Sequence, residues 1–291
     1  MTVEFLPATR AAAKARIALA GPSGSGKTYT ALALATALGT TAVVDTERGS
    51  ASKYAGINGW EFSTIAPQSF APASLVEALA AASTAGFEVV VVDSLSHYWM
   101  GVDGMLEQVD RRAKNGNNFS GWKEAGPDER RMIDALVAYP GHVIVTLRVK
   151  TEYVVEQNER GKSAPRKVGL KPIQRDGIEY EFDVVGELDL DNTLTVTKSR
   201  IPTLSGAVVQ RPGSELAETV RDWLADGEDA PGPREYQEQV ELCTDKKELG
   251  ELWHKVKRLG IGGAALQDAD GYSMTLLQYI EKRAHSLGSP S

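Results

Sequence analysis

Eight residues near the start of the chain have the types and spacing of a loop that wraps phosphate groups. They are Gly21, Pro22, Ser23, Gly24, Ser25, Gly26, Lys27 and Thr28. The pattern G-x-x-x-x-G-K-[ST] predicts inward-turned backbone N–H groups, a lysine that reaches the β and γ phosphates, and a threonine hydroxyl on Mg²⁺. An apolar run at 17–20 and a helix-forming run at 29–38 flank the loop, so a helix N-terminus adds positive partial charge. The sequence therefore predicts an ATP and Mg²⁺ site, and the alternative is a glycine-rich turn before an ordinary helix.

Two carboxylates follow other apolar runs and could complete this chemistry. Asp93 ends the run 89–92, and a carboxylate there suits the water shell of Mg²⁺; alternatively, Asp93 only caps a following helix. Hydrolysis also needs a group that orients or deprotonates the attacking water. Glu47, just after the run 42–44, is the best candidate, and Asp45 is a rival with a more structural position.

The elements that must position these residues alternate between two patterns. Buried strands are predicted at 17–20, 42–44, 89–92 and 143–146, and helices at 70–85 and 128–139. This alternation predicts an α/β fold with a mainly parallel twisted sheet, in which ligands bind beyond the carboxyl ends of the strands. Two later alternating runs, joined near Asn192, predict a hairpin or the closing strands of the sheet.

The predicted helix at 128–139 supplies two weaker candidates for the base. Asp128 and Glu129 follow Pro127 at the expected helix start. Acidic residues at such a position simply complement the helix dipole. We therefore expect them to be structural.

Composition excludes several classes of protein. A chain of 291 residues with 42% hydrophobic content can bury a full core, and its single cysteine, Cys243, excludes an internal disulfide and a multi-cysteine metal site. No apolar run reaches the length of a membrane span, and residues 1–16 lack the apolar core of a signal peptide. The sequence predicts a cytoplasmic protein with no membrane partner. A net charge of −7 argues against a protein that coats nucleic acid with its whole surface.

The chain divides into a predicted core and a small tail. We expect an ATPase core at 1–224, a polar Pro/Gly-rich linker at 225–233 and a small helical domain at 234–291. Apolar residues at helical spacing predict two tail helices, which would form a helical hairpin. The supporting residues are Leu249, Leu252, Trp253, Val256 and Leu259 for the first helix, and Leu276, Leu277 and Ile280 for the second.

A basic segment at 148–175 stands out in this acidic chain. It lacks clear helical or strand periodicity and carries eight basic against three acidic residues, a difference of +5. A loop of this length is usually functional or disordered. Its cations could attract the phosphates of nucleic acid, although Tyr153 is its only aromatic residue. The alternative is a solvated mobile loop.

The order of these motifs resembles the core of RecA-like recombinases. The shared features are the phosphate loop, a strand ending in D-x-E, a tyrosine seven residues after the glutamate, and V-V-V-D-S. The resemblance implies that Glu47 activates water and that Tyr54 stacks on adenine; on its own, Tyr54 would be read as a packing aromatic. It also implies that Lys198 and Arg200 reach the nucleotide of a neighbouring subunit in a ring or filament, whereas a cationic edge strand would only resist aggregation.

More narrowly, the stretch 150–183 resembles phage-encoded short RecA-like ATPases of single-strand annealing and recombination, and the similarity covers about residues 12–210. The resemblance places DNA-binding loops at the basic segment, so single-stranded DNA is the expected partner. The candidate contacts are Lys162, Arg166, Lys167 and Lys171. One departure is Arg148, which occupies the place of a γ-phosphate-sensing glutamine in RecA.

Three hypotheses follow. The first is an ATP- and Mg²⁺-dependent ATPase that binds single-stranded DNA and promotes annealing or strand exchange. The second is a nucleotide-gated adaptor with little turnover that recruits a single-strand-binding or replication protein through its tail. The third is a P-loop kinase for a small molecule, for which the sequence offers no lid-like arginine cluster.

Overall fold

The computed structural model of the chain describes residues 14–157, 163–225 and 232–287. In these residues nine strands form one sheet in the order β3-β2-β4-β5-β1-β7-β8-β9, with β6 paired to β5. The strands are β1 (Arg16–Gly21), β2 (Thr41–Asp45), β3 (Phe62–Ile65), β4 (Val89–Asp93), β5 (His142–Gln157), β6 (Ser163–Pro172), β7 (Val184–Leu188), β8 (Thr193–Ser199) and β9 (Val208–Gln210). The six strands from β3 to β7 along this order run parallel, which confirms the predicted α/β class.

Helices cover both faces of the sheet. They are α1 (Lys27–Leu38), α2 (Pro72–Thr84), α3 (Ser96–Met100), α4 (Met105–Arg112), α5 (Asn118–Val137) and α6 (Ser214–Ala225). Residues of α2 and α5 share one apolar core with one face of the sheet, and residues of α1 and α6 share a second core with the other face. Burial on both faces explains why β1 and β4 are continuous apolar runs rather than alternating ones.

The four strands predicted from apolar runs are all present, at β1, β2, β4 and the first half of β5. Strand β3 was missed because it is an edge strand with three of its four residues exposed. The hairpin predicted around Asn192 is confirmed as β7 and β8, which pair antiparallel. The helix predicted at 70–85 is α2.

The prediction of a structureless basic segment is wrong. Strand β5 continues past the sheet, and β6 pairs with its second half from Val149↔Pro172 to Gln157↔Ser163. Arg148 stands at the junction, because it is the last residue of β5 that pairs with β1. The pattern was missed because the antiparallel pairing of β5 with β6 is a contact between two segments and not a property of either segment alone.

The predicted helix start after Pro127 is also wrong. Helix α5 begins ten residues earlier, at Asn118, and runs through Pro127. Asn117 caps it, since its side chain accepts a hydrogen bond from the Phe119 backbone N–H at 3.0 Å. Proline removes one backbone hydrogen bond, but buried residues on both sides of it, including Ala125 and Met132, keep the helix on the core.

A buried arginine ties the amino-terminal edge of the sheet to the end of α5. Arg16, only 7% exposed, donates to the backbone carbonyls of Val137 (Nη2–O 2.7 Å) and Gly141 (Nη1–O 2.8 Å). Its own backbone N–H donates to Asp183 Oδ2 at 2.9 Å. Burial lowers the pKa of Arg16 to about 10, and the charge of Asp183 opposes that shift. The cation is thus fully used in holding the fold.

The tail contains more than the predicted helical hairpin. Its elements are α7 (Pro233–Leu242), α8 (Lys246–Arg258), β10 (Ala265–Gln267), β11 (Ser273–Thr275) and α9 (Leu276–Ser286). Three helices surround a separate apolar cluster, and the β10–β11 hairpin packs against α2 of the core. Helix α7 was missed because only Tyr236 and Val240 give it an apolar stripe. The predicted linker falls largely outside the described residues.

Within the described ranges, no helix is both long enough and apolar enough to cross a membrane.

Candidate functional site

The loop between β1 and α1 has the backbone that a phosphate cradle requires. Gly26, at φ +85°, adopts a left-handed conformation that favours glycine. A Cβ on Gly21 would lie 2.6 Å from the Leu188 carbonyl oxygen, so only glycine fits there. Ser25 Oγ is buried and has no hydrogen-bond partner among the described residues. The residues present therefore fit a bound phosphate group, as the sequence predicts.

A hydroxyl and a carboxylate meet beside this loop. Thr28 Oγ1 donates to Asp93 Oδ2 at 2.6 Å, and Thr146 Oγ1 donates to Asp93 Oδ1. Burial raises the pKa of Asp93, while these two hydrogen bonds oppose the shift. Oxygen atoms of this kind suit Mg²⁺. Thr28 and Asp93 are therefore together, as the two separate motifs predict.

Glu47 is positioned by a tight turn after β2. Asp45 builds this turn, because its Oδ1 accepts from the Glu47 N–H at 2.8 Å and its Oδ2 accepts from the Ala51 N–H at 3.0 Å. Both carboxylate oxygens of Asp45 are thus engaged with backbone, whereas the Glu47 side chain remains 30% exposed. This arrangement favours Glu47 over Asp45 as a group that could act on water.

Arg148 reaches Glu47 across the sheet edge. Its Nη2 and Nε donate to Glu47 Oε1 at 2.9 and 3.1 Å. Its backbone N–H donates to Ser96 Oγ at 2.9 Å, which fixes the main chain at the start of the hairpin. Sequence analysis noted Arg148 only as a departure from RecA and missed this ion pair. The contact arises because β2, β4 and β5 are neighbours in the sheet.

Four charged side chains thus influence one another at this edge. Burial lowers the pKa of Lys27, the charges of Asp93 and Glu47 oppose that shift, and Arg148 adds to it. Lys27 Nζ donates to the Pro22 carbonyl at 2.8 Å, which folds the side chain over the loop. Two cations, Lys27 and Arg148, therefore contribute positive charge to this edge of the sheet.

A threonine and a histidine connect the ends of β2 and β4, and sequence analysis missed both. Thr46 Oγ1 accepts from the Ser94 N–H at 2.7 Å and lies 2.5 Å from His97 Nδ1. Burial lowers the pKa of His97, with a smaller contribution from the charge of Arg148. Only the pairing of β2 with β4 brings these residues together, so no local sequence signal could have found them.

Tyr54 does not line the large cavity beside the phosphate loop. It ends a short 3₁₀ helix (Ala51–Tyr54) and packs edge-on to Tyr29, with ring centroids 6.0 Å apart. The cavity, about 1060 Å³, begins at Gly26 and extends along α1; Tyr29, Asn58, Trp60 and Arg211 are among its lining residues. Sequence analysis missed all four. The adenine-stacking role of Tyr54 stays a prediction.

Lys198 and Arg200 contact their own chain. Lys198 Nζ donates to the carbonyls of Glu179 (2.8 Å) and Phe182 (2.6 Å), and Arg200 Nη1 pairs with Asp183 Oδ1 at 2.8 Å. Burial lowers the pKa of Lys198, with a further contribution from Arg200. A contact with a neighbouring subunit would have to replace these bonds, and that role stays a prediction.

The DNA-contact candidates are only partly described. Lys162 lies outside the described residues, as do the side chains of Arg166 and Lys167 on β6. Lys171 Nζ pairs with Asp176 Oδ1 at 2.7 Å. Of the rivals for the base, Asp128 pairs with Arg112 at 2.8 Å and Glu129 lies 3.7 Å from Arg175, so both are structural.

Comparison with known proteins agrees with this geometry. A search of curated proteins gives no match. No cluster of three or more His, Cys, Asp or Glu side chains suited to a metal occurs in the described part of the chain. The family model described as an AAA domain (AAA_24) matches residues 13–211, which include the phosphate loop, Asp93, Glu47 and Arg148. The chain therefore belongs to this family of AAA-type P-loop ATPases.

Proposed function

We propose that the chain is a RecA-like ATPase that hydrolyses ATP with Mg²⁺ and couples turnover to single-stranded DNA. The observation that carries the proposal is the convergence of Lys27, Thr28, Asp93 and Glu47 at one edge of the sheet. A binding module needs the first three, but a further carboxylate held beside the phosphate site is characteristic of hydrolysis.

The residues have separate roles in this proposal. Glu47 accepts a proton from water, or orients it, for attack on the γ-phosphorus, and the bond to the β-phosphate oxygen breaks. Lys27 and Arg148 stabilise the charge that develops on the γ-phosphate oxygens. Thr28 and Asp93 would hold Mg²⁺, which would supply further charge neutralisation. Arg148 pairs with Glu47, so it must release that carboxylate before the carboxylate can act as a base.

The cavity along α1 suits the base and ribose of the nucleotide. It opens at Gly26, inside the phosphate loop, and offers the ring of Tyr29, which is 40% exposed. Trp60 lies 4.8 Å from Tyr29, centroid to centroid, and supports that ring from one side. Aromatic rings with a few polar groups are typical of nucleotide pockets. We propose Tyr29, rather than Tyr54 alone, as the aromatic contact.

The proposal also includes assembly into a homo-oligomer and a role in annealing or recombination. Lys198 and Arg200 would complete a site at the interface of a homo-oligomer, ring or filament, by exchanging their contacts within the chain for a neighbour's phosphates. The basic hairpin β5–β6 supports single-stranded DNA as the partner, since it continues directly from Arg148. Annealing or recombination of the phage type, in the cytoplasm, is the task that the motif order supports.

The runner-up is a nucleotide-gated adaptor with little turnover. The tail favours it, because its three helices surround a separate apolar cluster and its β10–β11 hairpin packs against α2 of the core. Such a tail could recruit a single-strand-binding or replication protein. The adaptor predicts nucleotide binding without rapid phosphate release.

Steady-state hydrolysis of ATP, with and without an oligothymidylate, tests the proposal. We expect Mg²⁺-dependent phosphate release that rises with DNA, and a loss of at least about 100-fold in Lys27→Ala. Lys247→Ala, on the tail, is the control and should match the wild type. Hydrolysis that is indifferent to DNA, together with no DNA retention at low salt, would contradict the coupling.

A further inference from the structure

A cleft at the foot of the β5–β6 hairpin joins an aromatic side chain to three cations. Its volume is about 450 Å³, the size of a small-ligand pocket. Lys150, which follows Arg148 by two residues on β5, is part of its lining. The lining residues are Trp99, Lys150, Lys171, Pro172, Ile173, Gln174, Arg175 and Asp176.

Two of the cations are placed directly opposite each other. Lys150 and Lys171 form a cross-strand pair in the antiparallel register of β5 and β6. Residues paired in this way have Cβ atoms about 5 Å apart, and like charges there repel. Asp176 pairs with Lys171 (Nζ–Oδ1 2.7 Å) and so offsets part of this repulsion. The Asp176 side chain is 79% exposed, so solvent weakens that ion pair. A second anion between the lysines would stabilise this arrangement.

The aromatic side chain comes from a distant part of the sequence. Trp99 lies on α3, is half-buried, and packs on Trp122 with ring centroids 5.6 Å apart. Tyr153 was the only aromatic that the sequence offered near the basic segment, so Trp99 supplies what that segment lacked. An indole among cations is the combination that binds unpaired nucleotides, because the base stacks and the phosphate pairs.

Hydrogen bonds and an ion pair hold the walls of the cleft in place. Gln174 Nε2 donates to the Leu95 carbonyl at 3.3 Å, which ties the segment after β6 to the residue before α3. The Ile173 N–H donates to the Arg148 carbonyl at 2.7 Å. Arg175 pairs with Glu181 at 2.8 Å, so its charge is committed to the wall. Lys150 and Lys171, which lie opposite each other on β5 and β6, line the same cleft.

We propose that this cleft binds one nucleotide of single-stranded DNA, with the base on Trp99 and a phosphate between Lys150 and Lys171. The proposal rests on the proposed function and names the contact through which DNA acts on it. Duplex DNA does not fit, because its bases are already stacked. Lys150 follows Arg148 by two residues, about 7 Å along an extended strand, so a strand that binds DNA also carries the side chain that holds Glu47.

Fluorescence anisotropy of a labelled oligothymidylate at several salt concentrations tests the cleft. We expect Trp99→Ala to weaken binding by about 5- to 100-fold. Lys150→Ala and Lys171→Ala should each weaken binding and reduce the slope of log affinity against log salt by about one phosphate contact. Trp253→Ala is the matched control, because Trp253 is a half-buried tail indole with Lys257 Nζ 4.6 Å from its ring centroid.

The outcomes separate failure of the cleft from failure of the proposed function. Wild-type DNA binding and DNA-stimulated hydrolysis that persist unchanged in the cleft variants would overturn the cleft and leave the proposed function standing. A wild type that hydrolyses ATP but binds no DNA would overturn both the coupling and the cleft. If Trp99→Ala unfolds, Trp99→Phe replaces it and should bind DNA almost as tightly as the wild type. Lys150 is exposed, so Lys150→Ala should fold normally. Unchanged DNA affinity in Lys150→Ala would contradict the proposal.

Discussion

The two edges of the parallel sheet use arginine in opposite ways. At the amino-terminal edge, Arg16 is 7% exposed and donates to carbonyls at the end of α5. At the carboxyl edge, the Arg148 side chain is 41% exposed and pairs with one carboxylate oxygen of Glu47. The first cation has no capacity left for a ligand, whereas the second can exchange its partner. A phosphate group can therefore bind at the carboxyl edge, where the arginine is partly exposed, but not at the amino-terminal edge, where its donors are all used.

The largest expected effect falls on the amino-terminal edge. Arg16→Met should lower the free energy of unfolding by at least about 3 kcal/mol, because several buried carbonyls lose their donor. Urea denaturation followed by circular dichroism measures this change. The remaining folded protein should still bind ATP. A loss below about 1 kcal/mol would contradict the assignment of Arg16 as a structural cation.

The second effect is a dependence of stability on pH at the same edge. Burial lowers the pKa of His142 to about 4, and its Nδ1 accepts a hydrogen bond from the Ala15 N–H at 3.0 Å. Nearby cations add to the shift, and they are Lys14, Arg16 and Arg221. The unfolded chain takes up this proton near pH 6.5, so stability is present above pH 6.5 and is lost as pH falls towards 4, by up to about 3 kcal/mol.

Replacement of His142 by asparagine checks this dependence. The amide oxygen can accept the same hydrogen bond but does not titrate. Unfolding free energies measured between pH 4 and 7 should therefore fall less steeply in His142→Asn than in the wild type. Equal slopes would show that another group controls acid stability.

The smallest effect on stability is expected at the carboxyl edge. Arg148→Met should change the free energy of unfolding by less than about 1 kcal/mol, because its ion pair is partly solvated. The same change should weaken ATP binding about tenfold, since one of two cations facing the phosphates is lost. Calorimetric titration with a non-hydrolysable ATP analogue measures the affinity. A large loss of stability with unchanged affinity would reverse the comparison between the two arginines.

The sequence predicted those parts of the molecule that local patterns determine. The phosphate loop, β1, β2 and β4 carry continuous apolar runs or fixed spacing, and the contact of Thr28 with Asp93 follows once parallel strands share an edge. The β5–β6 hairpin was missed because it is defined by the pairing of two segments, which no local run of residues reveals.

Contacts between distant segments could not be found in this way. Arg148 meets Glu47 because β4 lies between β2 and β5 in the sheet. Trp99 and Lys171 line one cleft because the segment after β6 is tied to the residue before α3. Helix α5 was placed too late because Pro127 was given the weight of a helix start. Packing on both sides of the proline outweighs the one hydrogen bond that it removes.

Phosphate release by Glu47→Gln, with nucleotide affinity measured in the same samples, tests whether Glu47 acts on the attacking water. Glutamine keeps the size of the side chain but cannot accept the proton of the attacking water. We expect ATP binding within about threefold of the wild type, and turnover in the presence of DNA lower by about 10²- to 10⁴-fold. Turnover equal to that of the wild type would contradict hydrolysis by Glu47 and would favour the nucleotide-gated adaptor.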